Sequence, residues 1–237
     1  MNTDENAGAP RFRMPEHTKL TIEKIQQHNE KGRMDKIEKE FIKGFEFLRK
    51  YEKTVSFYGS ARLQEDNIHY KAARRIAGRV AKELGCAVVS GGGNGIMEAA
   101  NRGAFEAGGK SLGLNIQLPH EQKKNAYLTD SMDFYYFFIR KVMLSFSAEA
   151  YLFFPGGFGT LDEFFEIVTL VQTRKITEVP IVLVGKDFWL PIVDMLEENL
   201  CQVHKAIEKS DLKLFTITDD EDQVIEIIKK APLRIQD

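Results

Sequence analysis

Ala150-Tyr151-Leu152-Phe153-Phe154-Pro155-Gly156-Gly157-Phe158-Gly159-Thr160-Leu161-Asp162-Glu163 is the stretch on which the fold turns. A run of apolar residues meets a proline and a cluster of glycines, and the period then changes. Phe164, Ile167, Val168 and Val171 recur at three- and four-residue steps, which places them on one face of a helix over 160–171. An apolar run with no alternation suits a strand covered on both faces, as in a parallel sheet. The unit is strand, glycine turn, helix.

The same unit repeats along the chain. Strands are predicted at Thr54–Tyr58, Ala87–Ser90, Ser111–Ile116, 150–154, 181–184 and 214–217. Helices are predicted between them: one carries Ala72, Ile76, Val80 and Leu84, and others lie near 95–107, 137–147, 160–171, 190–200 and 220–230. Repeated strand-then-helix order implies a doubly wound, Rossmann-like α/β fold, a parallel sheet with helices on both faces. Residues 51–237 form that domain. Ahead of it, Met34, Ile37, Phe41, Phe45 and Leu48 mark a helical extension over 17–50, and the polar residues 1–16 read as a disordered tail.

Composition narrows the function classes. With 237 residues and 43% hydrophobic content, the chain buries a core without staples. A net charge of −2 offers no global attraction for nucleic acid or membrane, so any anion must be held locally. Cys86 and Cys201 make no disulfide framework and read as small core residues. The sequence has no long apolar run and no apolar leader, so the cytoplasm is the expected compartment. His17, His28, His69, His120 and His204 show no ligand spacing, and no metal is expected.

In such a sheet, ligands bind beyond the carboxyl ends of the strands. Three loops there are glycine-rich: Tyr58-Gly59-Ser60-Ala61, Ser90-Gly91-Gly92-Gly93-Asn94-Gly95 and Pro155-Gly156-Gly157-Phe158-Gly159-Thr160. Glycine lets backbone amides approach a phosphate, and the helix that follows adds its free N–H donors and positive dipole end. The dinucleotide fingerprint with its acidic residue is absent, as is the GxxxxGK[ST] loop of ATPases. One phosphate group fits these loops better than a pyrophosphate or triphosphate. Thr160 and Glu163 also satisfy a capping box, in which Thr160 caps the helix and Glu163 reaches back to the N-cap amide. The other reading sets Glu163 beside the phosphate cradle, facing a ribose. Arg140-Lys141 follows the aromatic run Phe134-Tyr135-Tyr136-Phe137-Phe138, which is expected to be buried with the basic pair at a pocket rim.

Taken together, Ser90 to Glu98, Arg140-Lys141 and Pro155 to Glu163 resemble the Lonely Guy (LOG) family of cytokinin riboside 5′-monophosphate phosphoribohydrolases, whose bacterial members cleave AMP and other nucleotides. The family pattern PGGxGTxxE matches every fixed position from Pro155 to Glu163, and Arg140 has the spacing of the family's catalytic arginine. The likeness spans about residues 50–230; the N-terminal helices and a long segment over 117–133 are similar to the longer bacterial branch. It implies hydrolysis of the N-glycosidic bond without a cofactor, with Arg140 and Glu163 as catalytic residues. It further implies substrate and phosphate contacts from Gly59, Ser60, Gly91, Gly92, Gly93, Met97, Glu121, Lys141, Gly156, Gly157, Phe158, Gly159 and Thr160. The expected partners are a nucleoside 5′-monophosphate and a second copy of the chain, as a homodimer or larger homo-oligomer. Some relatives have been labelled lysine decarboxylases, but pyridoxal phosphate chemistry needs a Schiff-base lysine with a partner for the pyridinium, and no such constellation is visible. The alternative is a non-catalytic nucleotide-binding sensor or carrier of the same fold, such as the molybdenum-cofactor carriers.

Overall fold

The computed structural model of the chain describes residues 30–117 and 124–232, so the tail over 1–16 and the candidate Glu121 lie outside the described residues. The chain divides into two compact units, Met1–Glu40 and Phe41–Asp237. The division falls within helix α1 (Glu30–Leu48), which groups residues 41–50 with the sheet. The larger unit then alternates β1 (Thr54–Tyr58), α2 (Ile68–Leu84), β2 (Ala87–Ser90), α3 (Ile96–Glu106), β3 (Ser111–Ile116), β4 (Asp130–Phe134) and α4 (Phe137–Ser145). It continues with β5 (Ala150–Phe153), α5 (Phe158–Gln172), β6 (Ile181–Leu183), α6 (Lys186–Met195), β7 (Thr216–Ile217) and α7 (Glu221–Lys229). Between α6 and β7 lie a π-helical stretch, Leu196–Val203, and a 3₁₀ turn, Asp211–Lys213.

The seven strands among the described residues are all parallel, in the order β4-β3-β2-β1-β5-β6-β7. From β1 the chain winds outward through β2, β3 and β4, then returns to lay β5 on the other side of β1. The winding reverses between β1 and β5, and the loops leaving those strands splay apart there. That gap is where this topology puts a ligand.

Alternation along the central strands divides the core. Val55 and Phe57 of β1 join Leu152 and Phe154 on one face, under Ala73, Ile76, Ala77 and Val80 of α2, Ala99 and Ala100 of α3, and Val224 and Ile228 of α7. Small residues let α2 and α3 come close: a Cβ at Gly103 would run into the Arg74 carbonyl. On the other face Tyr58 stacks on Phe153 at 4.7 Å, and Phe164 of α5 packs edge-on to Phe153 at 5.6 Å. Trp189 of α6 is fully buried beside Phe164 and donates its indole N–H to the Phe153 carbonyl. Side chains of this size contribute about 1.5–3 kcal/mol each when fully buried.

The structure departs from the sequence expectation in several places; the strand expected over 214–217 is only Thr216–Ile217, and Cys201 is partly exposed. The edge strand β4 was not anticipated, because Asp130-Ser131-Met132-Asp133 is polar and only Phe134 at its end is fully buried. The aromatic run is not buried as a block: Phe134 is, whereas Tyr135, Phe137 and Phe138 are exposed. Helix α5 begins at Phe158 with Gly157 as its N-cap, so Thr160 sits inside the first turn and no capping box forms. The helix expected over 190–200 begins earlier, at Lys186, and passes into the π-helical stretch after Met195.

Candidate functional site

The loops after β1, β2 and β5 are tied together at the switch point. Ser60 donates its amide to the Pro155 carbonyl at 2.9 Å, and Ile96 donates its amide to the Ser60 carbonyl at 2.9 Å. The middle loop thereby joins the other two. Gly59 and Gly95 allow this approach: a Cβ at Gly59 would meet the Ile96 side chain at 2.7 Å, and Gly95 has φ +68 with its missing Cβ against the Ser60 carbonyl.

These loops border an open cleft of about 920 Å³. Among the sequence candidates it is lined by Gly59, Ser60, Gly91, Met97, Arg140 and Glu163, together with Gly156 through Thr160. Its floor at β5 is the N-terminal turn of α5, where Thr160 and Leu161 bond back to the Gly157 carbonyl. Earlier amides of such a turn lack helical partners and, with the dipole, favour an anion. Gly156 is required sterically, since a Cβ there would overlap the Thr160 hydroxyl; at Gly157 and Gly159 it would meet nothing within 4 Å. Those two positions leave the backbone open to the cleft. The Phe158 ring, 93% exposed, projects to solvent.

Glu163 lies farther along the same helix and is 7% exposed. Its Oε2 is buried without a hydrogen-bond partner among the described residues, and its Oε1 lies 3.9 Å from Lys141 Nζ. Burial lifts its pKa from 4.5 to about 7; Lys141 and Arg140 draw it down, while Glu166 and Asp162 push it up. A buried carboxyl with an unengaged oxygen is costly to keep for stability alone, and a value near neutrality suits proton transfer. Arg140, on α4, donates Nε–H to the Leu114 carbonyl at 2.7 Å and lies so close to Gly91 that a Cβ there would come within 2.5 Å of its terminal nitrogen. Burial lowers its pKa, against the raising effect of Glu163. Tyr58, also on the cleft wall, is buried and donates to the Leu144 carbonyl at 3.1 Å; burial first, and Glu163 second, push its phenol well above the usual range.

Three candidates stand elsewhere. Lys141 is turned to α5, at 2.5 Å from Asp162 and 2.8 Å from Glu166, and is not on the cleft wall. Gly92 and Gly93 face a polar network: Asn125 donates its amide to the Gly92 carbonyl and its side chain to the Gly93 carbonyl, both at 3.0 Å. Ser90, Asn101 and Ser111 extend that network beneath the loop. Gly92, at φ +71, also abuts Asn115, whose buried Nδ2 has no hydrogen-bond partner among the described residues. Sequence reasoning did not single out Tyr58, Asn101 or Asn125. Asn101 had a weak signal, an amide among the small residues Ala99, Ala100, Gly103 and Ala104; Asn125 had none.

The fold and the site's position place the chain among open, doubly wound α/β proteins. A family model described as "Possible lysine decarboxylase" matches residues 97–228, more than half of the chain, and the chain belongs to that family, the LOG type to which its motifs are similar. No curated protein matches it in sequence. Among solved structures, the structural-genomics protein TM1055 is similar with a TM-score of 0.56 at 22% identity, covering 75% of this chain and 99% of that one. The molybdenum cofactor binding protein of the phototrophic bacterium Rippkaea orientalis follows at 0.55 and 20%, over 74% and 93%. The molybdenum cofactor carrier protein of Chlamydomonas reinhardtii gives 0.54 and 19%, over 76% and 98%. At these identities the likeness speaks to fold alone.

The family's description does not fit the cleft chemically. Among the described residues no lysine lines it, and Lys141 is held by carboxylates that, against the opposing effect of burial, keep its pKa raised and its ammonium charged. A Schiff-base lysine must instead become neutral to attack. No helix among the described residues is long and apolar enough to cross a membrane.

Proposed function

We propose that this protein hydrolyses the N-glycosidic bond of nucleoside 5′-monophosphates, AMP or a cytokinin riboside 5′-monophosphate, to the free base and ribose 5-phosphate. The observation that carries this reading is the buried Glu163 carboxylate, with one oxygen unengaged, on the wall of the cleft that the α5 N-terminus floors. The free amides of Gly157, Phe158 and Gly159, ahead of the bonded Thr160 amide, hold the 5′-phosphate, which sets the ribose toward Glu163. As the bond from C1′ to the base breaks, positive charge grows on the ribose, and the ionised Glu163 stabilises it and orients or deprotonates the attacking water. The water oxygen bonds to C1′, and the departing base takes up a proton. Arg140, anchored by Leu114, offers its remaining donors to the substrate's negative charge.

The carrier reading draws on the two molybdenum-cofactor proteins of similar fold. A panel of AMP, GMP, CMP, UMP and an isopentenylated AMP separates the readings and reports base preference. Release of base from at least one member supports the hydrolase; tight binding with no release from any supports the carrier.

A further inference from the structure

Lys141 is the only cation within ion-pair distance of Glu163 among the described residues, yet it faces away from the cleft. Its ammonium is shared by three carboxylates of α5: Asp162 at 2.5 Å, Glu166 at 2.8 Å and Glu163 at 3.9 Å. Positions 162, 163 and 166 lie within about one helical turn, so one lysine from α4 spans them all. Asp162 is well exposed and Glu166 mostly buried, which fixes the ammonium at the inner end of the turn. Asp162 holds it by a hydrogen bond and Glu166 by a close ion pair; the third contact, to Glu163, is longer and acts through charge alone.

We propose that Lys141 is a positioning residue whose ammonium, held by Asp162 and Glu166, sets the charge that Glu163 presents to the substrate. The groups facing Glu163 are Tyr58 from β1, Arg140 and Lys141 from α4, and Asp162 and Glu166 from its own helix. Lys141 and Arg140 favour the ionised form, and Glu166 and Asp162 oppose it. Removing the lysine and removing Glu166 must therefore move the titration of Glu163 in opposite directions. A lysine that merely joined two helices would have no such signature.

This inference rests on the hydrolase reading for its consequence in catalysis, but not for its electrostatics. The test compares wild type with Lys141→Met, Lys141→Arg and Glu166→Gln by the pH dependence of AMP turnover. In parallel, the Glu163 carboxyl is titrated by NMR in protein labelled with carboxyl-¹³C glutamate, with Glu163→Gln giving the assignment. Lys141→Met should raise the acidic limb and the NMR midpoint by about one unit, as expected for losing an opposite charge at this range. Turnover at pH 6 then falls close to tenfold, to about a tenth of wild type, and recovers at high pH. Glu166→Gln should lower both, and Lys141→Arg should restore both toward wild type. If Lys141→Met does not fold by circular dichroism, the Glu166→Gln and Lys141→Arg arms still decide. Midpoints that do not move in folded variants overturn the proposal, whether or not AMP is cleaved. Midpoints that shift as stated in a protein that leaves AMP intact support it and count against the hydrolase reading alone.

Discussion

Replacing Glu163 by Gln should remove most turnover and, at alkaline pH, make the protein more stable. Burial raises the Glu163 pKa from 4.5 to about 7. The folded state therefore holds this proton more tightly than the unfolded chain does. Its contribution to stability is fully present below the unfolded value and is lost as pH rises through about 7. At about 1.36 kcal/mol per unit, ionising Glu163 in place costs about 3 kcal/mol. Gln fills the same space and never ionises. Urea denaturation should therefore show equal stability near pH 4 and an advantage for Glu163→Gln of up to about 3 kcal/mol at pH 8. Turnover should fall about 10²–10⁴-fold, the usual worth of such a group. Were Glu163 only a packing residue, the variant would keep its activity. A variant no more stable than wild type at pH 8, or one with near-normal turnover, would refute the reasoning.

Gly157→Val should fold, because φ there is −93 and a Cβ meets nothing within 4 Å, yet its side chain enters the cleft where the phosphate is placed. Unchanged AMP affinity by calorimetry, in a variant with native circular dichroism, would remove this turn as the cradle. Gly92→Ala should be destabilised by about 2 kcal/mol in denaturant titration, since φ is +71 and the new methyl overlaps Asn115; a stability within about 0.5 kcal/mol of wild type contradicts that. Sedimentation at micromolar concentration should find at least a dimer, since α4 and α5 expose Phe137, Phe138 and Phe165. A fully active 27.1 kDa monomer would reject that.

What the sequence made legible follows from what periodicity reports. The apolar runs of β1, β2, β3, β5 and β6 are buried on both faces, so each announced itself as a parallel strand. Glycine turns then marked the sheet end at which a cleft forms, and Arg140 and Glu163 were placed on its wall. Strand β4 escaped notice because an edge strand half open to water needs no apolar run. Thr160 misled because a capping pattern records composition, whereas the helix already takes Gly157, three residues earlier, as its N-cap. Gly92 and Gly93 were read as ligand-facing, and only the fold brings Asn125 onto their carbonyls. Lys141 was paired with Arg140 by adjacency, but successive helical residues point about 100° apart. One side chain reaches the cleft and the other the carboxylates of α5.

Adenine release from AMP, measured beside release from adenosine under identical conditions, tests the chemistry and the phosphate cradle together. If the α5 amides hold the 5′-phosphate and Glu163 drives cleavage, AMP yields adenine and ribose 5-phosphate in equal amounts, while adenosine is cleaved at least about 10²-fold less efficiently. Equal cleavage of the two would contradict the cradle. No adenine from AMP under conditions where it binds would contradict the hydrolase.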